Sequence, residues 1–191
     1  NVAGPSLGVS GENLPEYLID NPDVTKAINQ SLKDLDVRYK VIPKTIGGNA
    51  DLMEIRLKDA VTGDEVCWTD VGFGISQIIP IVARLHSRRG LLTIQQPESQ
   101  IHPKLQSDFT RLLARSTRRG GGINPYPIIV ETHSEHIALH LQKLIRDGKF
   151  NHDQVKVLYV DVDSEGSFVT ELRLNEKGQF NDRWPGGFFP E

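Results

Sequence analysis

An α/β fold, with a mainly parallel sheet flanked by helices, is what this sequence predicts, and three observations carry the prediction. Short apolar runs at residues 91–94 (LLTI) and 128–130 (IIV) have the character of strands buried on both faces. Amphipathic stretches of helical length alternate with them, at 76–89, 103–118 and 134–147. Gly and Pro punctuate the joints, with Gly90 and Gly148 at helix ends and Pro103 at a helix start. From residue 91 onward the order reads strand, helix, strand, helix, strand, strand, the pattern of parallel βαβ units.

The elements follow in order. Residues 1–23 are rich in Gly, Pro, Ser and Asn without periodicity and read as linker or loop. Residues 24–36 (VTKAINQSLKDLD) set Val24, Ile28, Leu32 and Leu35 on one helical face, with Asp23 as the expected N-cap. Residues 38–43 (RYKVIP) and 51–57 (DLMEIRL) alternate apolar and polar, as half-buried strands do, around a Gly47-Gly48-Asn49 turn. Residues 24–66 therefore form a helix–strand insertion segment. A glycine-rich turn at 71–74 leads into the helix at 76–89. Residues 155–160 (VKVLYV) are a third strand and 168–174 (FVTELRL) an alternating fourth, within a C-terminal strand and tail at 162–191.

Composition narrows the function. Charged residues are 25% and hydrophobic residues 38% of 191, which excludes a disordered chain and a coiled-coil rod. No apolar stretch approaches the roughly 20 residues of a membrane span. The net charge of −3 argues against a nucleic-acid coat but leaves room for a local basic patch. One cysteine, Cys67, permits no internal disulfide and points to a reducing, cytoplasmic setting. The chain opens on Asn1 rather than Met and reads as a piece of something longer.

Three segments fall where an α/β sheet places its chemistry, at the carboxyl ends of strands. Asp70-Val-Gly-Phe-Gly-Ile-Ser-Gln77 is a glycine-rich turn feeding a helix N-terminus, a seat suited to phosphate. Leu91-Leu-Thr-Ile-Gln-Gln-Pro-Glu98, followed by Ile101-His-Pro103, ends a buried strand in polar residues, as a metal-and-water site requires. Ile128-Ile-Val-Glu-Thr-His-Ser-Glu-His136 ends another strand with a histidine able to meet a phosphate.

In this order and spacing the three segments resemble the signature motif, the Walker B strand with D-loop, and the switch histidine of ABC-class ATPase heads. The resemblance is closest to the SMC/RecF/OLD-like branch of bacterial AAA-type ATPases, with a P-loop NTPase-like fold. The tail Trp184-Pro-Gly-Gly-Phe-Phe189 adds a likeness to a subfamily with a C-terminal domain of unknown function, some of whose relatives act in phage defence. The resemblance implies an ATPase C-terminal lobe over residues 67–161. Gly72, Gly74 and Ser76 would contact, in trans, a nucleotide on a second head. Gln95 and Gln96 stand at the catalytic positions, Gln95 being the Mg²⁺ position. His133 would be the switch histidine, and Glu98 and His102 would lie in the D-loop at the dimer interface. The function implied is a nucleotide-driven dimerisation switch using ATP and Mg²⁺. Its partners would be a second head, an N-terminal P-loop segment, an effector nuclease and nucleic acid, with no membrane.

Two departures matter. No G-x-x-x-x-G-K-[S/T] occurs, so the phosphate cradle must come from an N-terminal segment, and the chain alone should be inactive. Gln95 and Gln96 are amides where acids are expected; neither is a general base, although Gln96 can orient a water. The alternative is therefore a non-hydrolysing scaffold that docks a nuclease or other effector. A third reading is a metal-dependent nuclease using Asp161, Asp163 and Glu131. His136 and His140, at i,i+4, read as structural or solvent-facing rather than as zinc ligands. Arg84, His86, Arg88 and Arg89, and Arg111, Arg115, Arg118 and Arg119, read first as cations complementing helix ends. Trp184, Phe188 and Phe189 read as packing for the C-terminus.

Overall fold

The computed structural model describes residues 7–8, 11–47, 49–87, 90–117 and 127–184. It divides into two compact units, Asn1–His133 and Ser134–Glu191.

The first unit opens with α1 (Leu14–Asp20), inside the stretch expected to be loop. Its buried anchors are only Leu14 and Leu18, so periodicity has little to register, and a seven-residue helix persists by tertiary burial rather than propensity. Asn21 links it to α2 (Pro22–Asp34), donating its side-chain amide to the Tyr17 carbonyl at 2.8 Å. Asp23 is not the cap. It lies inside the first turn, where Pro22 opens the helix and the carboxylate suits the dipole. The predicted face of α2 is confirmed: Ile28, Leu32 and Leu35 are buried and Val24 packs against them.

Three antiparallel strands follow in the order β1 (Tyr39–Ile46), β2 (Asn49–Asp59) and β3 (Glu65–Cys67). Their buried face carries Val41, Ile55 and Leu57. Asn29 of α2 pins β1 by donating to the Val41 carbonyl at 3.0 Å and accepting from its N–H at 2.7 Å. The three residues of β3 are too few for alternation to reveal.

Next comes α3 (Phe73–Ser87), which begins three residues earlier than expected, so Gly74 lies within its first turn. The helix buries Ile78, Ile79, Val82, Ala83 and Leu85. Then β4 (Leu92–Gln95), α4 (Pro103–Ser116) and β5 (Ile128–Glu131) form a βαβ unit with β4 and β5 parallel. Leu92 and Ile94 of β4 share one core with Ile78 and Val82 of α3 and with Phe109 and Leu113 of α4. Ile28 and Leu57 belong to the same core, so residues 24–66 are not a separate compact body.

The second unit holds α5 (Glu135–Arg146), whose Ser134 hydroxyl accepts the Ile137 N–H at 3.2 Å as a cap, and the hairpin of β6 (Val157–Asp163) and β7 (Gly166–Leu172). The α/β class holds. Among the described residues, however, parallel pairing is confined to β4 and β5, and β6 pairs antiparallel with β7. The Asp163 carboxylate decides this locally by accepting the N–H groups of Glu165 and Gly166, at 2.8 and 3.2 Å, and closing a tight turn. Trp184 packs edge-on against Tyr159 and Phe180, with centroids 6.1 and 5.0 Å away. Gly48, Arg88, Arg89, Arg118, Arg119, Phe188 and Phe189 lie outside the described residues. No helix among the described residues is long and apolar enough to cross a membrane.

Candidate functional site

Parallel pairing of β4 and β5 brings their carboxyl ends together, with Gln95 opposite Glu131. The Gln95 amide donates to Glu131 Oε2 at 3.4 Å, on the exposed face of the pair. One residue further, the Gln96 N–H donates to the Glu131 carbonyl at 2.8 Å and extends the ladder.

The chain then turns sharply. Gln96 and Gln100 adopt positive φ of 43° and 66°, and Ser99 N–H bonds back to the Gln96 carbonyl at 3.1 Å. Left-handed backbone at a residue other than glycine costs about 1–3 kcal/mol and is characteristic of functional sites. Pro97 is buried beneath this turn. The turn aims Glu98 across the strand ends, where Oε1 accepts the His133 N–H at 2.7 Å. Glu98 Oε2 is buried and has no partner among the described residues.

Helix α3 contacts the same turn twice. Gln77 donates its side-chain amide to the Gln96 carbonyl at 3.2 Å. Gly74 lies so close that a Cβ there would fall 2.6 Å from the Gln100 carbonyl oxygen and 2.7 Å from Ile101 Cγ2. The turn at 71–74, the end of β4 with the residues after it, and the end of β5 therefore assemble within one unit.

Individual residues receive different tasks. Gly74 is buried as a packing contact, whereas Gly72 is open, with nothing within 4 Å of a Cβ placed there. The Ser76 hydroxyl donates to the Phe73 carbonyl at 2.9 Å within its own helix. His102 caps α4, its Nδ1 accepting the Lys104 N–H at 3.2 Å. His133 is exposed. Asp161 and Asp163 accept backbone N–H groups in their hairpin. No three His, Cys, Asp or Glu side chains gather as a metal would require, among the described residues. Cys67, whose thiol takes a hydrogen bond from Thr69, is held below its ordinary pKa by that bond. It lines an open cavity of about 630 Å³ beside the start of α3, with Trp68, Phe73 and Ser76.

Sequence reasoning missed the Glu98–His133 and Gln77–Gln96 contacts, and it placed Glu131 only among alternatives. The signal for Glu131 was present: counting both apolar runs to their ends sets Gln95 against Glu131.

Residues 16–139 match the family described as "AAA domain, putative AbiEii toxin, Type IV TA system". Among solved structures, the chain is similar to an SMC ATPase studied for ATP-driven dimerization and DNA-stimulated activation. That match has a TM-score of 0.60 and 11% identity, over 82% of this chain and 87% of that one. It is also similar to an SMC head bound to the C-terminal winged-helix domain of ScpA, with a TM-score of 0.62 and 12% identity over 88% of this chain and 48% of that one. A third match is the Smc head domain with a coiled coil and joint from Pyrococcus yayanosii, with a TM-score of 0.58 and 14% identity over 87% of this chain and 30% of that one. The chain thus spans less than half the length of the last two. No curated protein matches it.

Proposed function

The chain belongs to this AAA-domain family and has the fold of an SMC-type ATPase head, and from that premise we propose that it forms part of a nucleotide-driven dimerisation switch. The observation that carries the reading is the 2.7 Å bond from the His133 N–H to Glu98. It ties the histidine after β5 to the turn after β4, so a displacement at either strand end is passed to the other. The turn is braced from α3 by Gly74 and Gln77, which extends the same linkage to the residues offered to a second head.

Bound ATP with Mg²⁺ would supply the γ-phosphate charge to which this linkage responds. Gln96 orients a water, His133 presents its imidazole at the exposed strand end, and Gly72 and Ser76 form the surface met by the second head. The phosphate cradle is supplied by a P-loop segment outside these 191 residues, since no such motif occurs within them. The proposal extends to a role in phage defence, with a nuclease or nucleic acid as the downstream partner in a cytoplasmic setting; its support is the likeness of the tail from Trp184 to a subfamily some of whose relatives act there.

The experiment is ATP-dependent association of the full-length protein, followed by light scattering. Nucleotide should raise the mass from one copy to two, and Ser76→Arg should prevent it. An unchanged mass with saturating ATP refutes the switch. The paired amides Gln95 and Gln96 favour one competing reading, a scaffold that binds an effector without hydrolysis. Gain of ATPase activity in Gln95→Glu marks an impaired enzyme, and absence of nucleotide binding marks the scaffold.

A further inference from the structure

We propose that Glu131 is the carboxylate of this strand-end site and serves the nucleotide's divalent cation in place of an acid at Gln95. The inference rests on the ATPase-head reading.

Mg²⁺ binds through one or two carboxylates together with substrate phosphates, so a nucleotide site needs few acids but not zero. Gln95, which ends β4, and Gln96, which follows it, are both neutral. Among the described residues, Glu98 and Glu131 are carboxylates that make hydrogen bonds at these strand ends. Glu98 is committed: one oxygen holds the His133 N–H and the other is buried. Glu131 is not committed in that way. It is exposed, and among the described residues its Oε2 takes a hydrogen bond from the Gln95 amide, at 3.4 Å.

Register explains why Glu131 can replace its neighbour. Side chains paired across parallel strands stand on the same face, with strands about 4.8 Å apart. A carboxylate at 131 therefore reaches the ground that one at 95 would occupy. The Gln96 N–H fixes the Glu131 backbone at 2.8 Å, so the charge is carried by a strand rather than a loop. The same geometry accounts for the amide at 95. A second carboxylate there would face Glu131 as a like charge, whereas a glutamine donates a hydrogen bond to it.

The donor set suits a cation delivered with its phosphates and does not suit a free metal, because no cluster of three ligating side chains exists among the described residues. The pairing therefore predicts dependence on Mg²⁺ only in the presence of nucleotide.

The test is the affinity of the full-length protein for a fluorescent ATP analogue, measured in Mg²⁺ and again in EDTA. Wild type should bind more tightly in Mg²⁺. Glu131→Gln should lose about 10-fold or more in Mg²⁺ and nothing in EDTA. The swap Gln95→Glu with Glu131→Gln should restore the Mg²⁺ effect by returning the carboxylate to the facing strand. A Mg²⁺ effect that survives Glu131→Gln overturns the assignment alone, as does a folded swap variant that fails to recover. Wild type that binds no nucleotide in either medium overturns the ATPase-head reading and this assignment with it.

Discussion

Replacing Gly74 with alanine sets two effects against each other, and the structure decides the winner. An alanine in a helix is favoured over glycine by up to about 1 kcal/mol. The added Cβ would lie 2.6 Å from the Gln100 carbonyl oxygen and 2.7 Å from Ile101 Cγ2. Ordinary contact begins near 3.4 Å, so the neighbour must retreat by roughly 0.8 Å, and the closer atom belongs to backbone. Forced overpacking costs about 1–3 kcal/mol. The turn that must yield is already held at positive φ on both Gln96 and Gln100, which leaves little slack. The net expectation is a loss of about 1–2 kcal/mol, or a fall in Tm of roughly 2–8 °C for a chain of this size. The assay is thermal unfolding followed by Trp68 fluorescence in a Trp184→Phe background, so that only the first unit reports. A Gly74→Ala protein as stable as its parent, or more so, would show that α3 and the 96–101 turn are not in contact as described.

Two further predictions follow from the same contacts and from the ion pairs. Glu98→Ala removes the acceptor for the exposed His133 N–H; water can replace it, so stability should fall only about 0.5–1.5 kcal/mol, while amide exchange at His133 accelerates markedly. Unchanged exchange refutes the bridge. Asp59 is held at a pKa of about 2, chiefly by its hydrogen bond from Arg38 at 2.7 Å, with burial opposing and the Val61 and Thr62 N–H groups assisting. Because the folded value lies below the unfolded value of about 3.9, its stabilisation is present above pH 4 and is lost as pH falls toward 2. Asp59→Asn should flatten the acid side of the Tm–pH profile of the first unit, and an unaltered slope between pH 4 and 2 would count against the Arg38 pairing.

Much of the fold was legible because burial leaves periodic marks. The face of α2 at Val24, Ile28, Leu32 and Leu35, the alternation of β1 and β2, and the apolar runs of β4 and β5 all declare themselves in single segments. What escaped was too short to repeat, as with α1 and β3, or depended on a partner, as with the antiparallel choice of β6. The apolar runs of β4 and β5 predict burial on both faces, but Thr93, Gln95, Ile129 and Glu131 stand exposed on one. A strand's sequence does not report which edge is paired or whether its second face is covered.

The site divides along the same line. Residue order alone determined which segments end at a common sheet edge, since apolar runs terminating in Gln-Gln-Pro-Glu98 and Glu-Thr-His133 carry that information locally. Only the tertiary structure decided that Gln95 faces Glu131, that Glu98 grips the His133 backbone rather than solvent, and that Gly74 exists to admit the Gln100 carbonyl. Each of these joins residues 26 to 36 positions apart through register or close approach. Such contacts arise from packing many elements at once, and no window of sequence contains them.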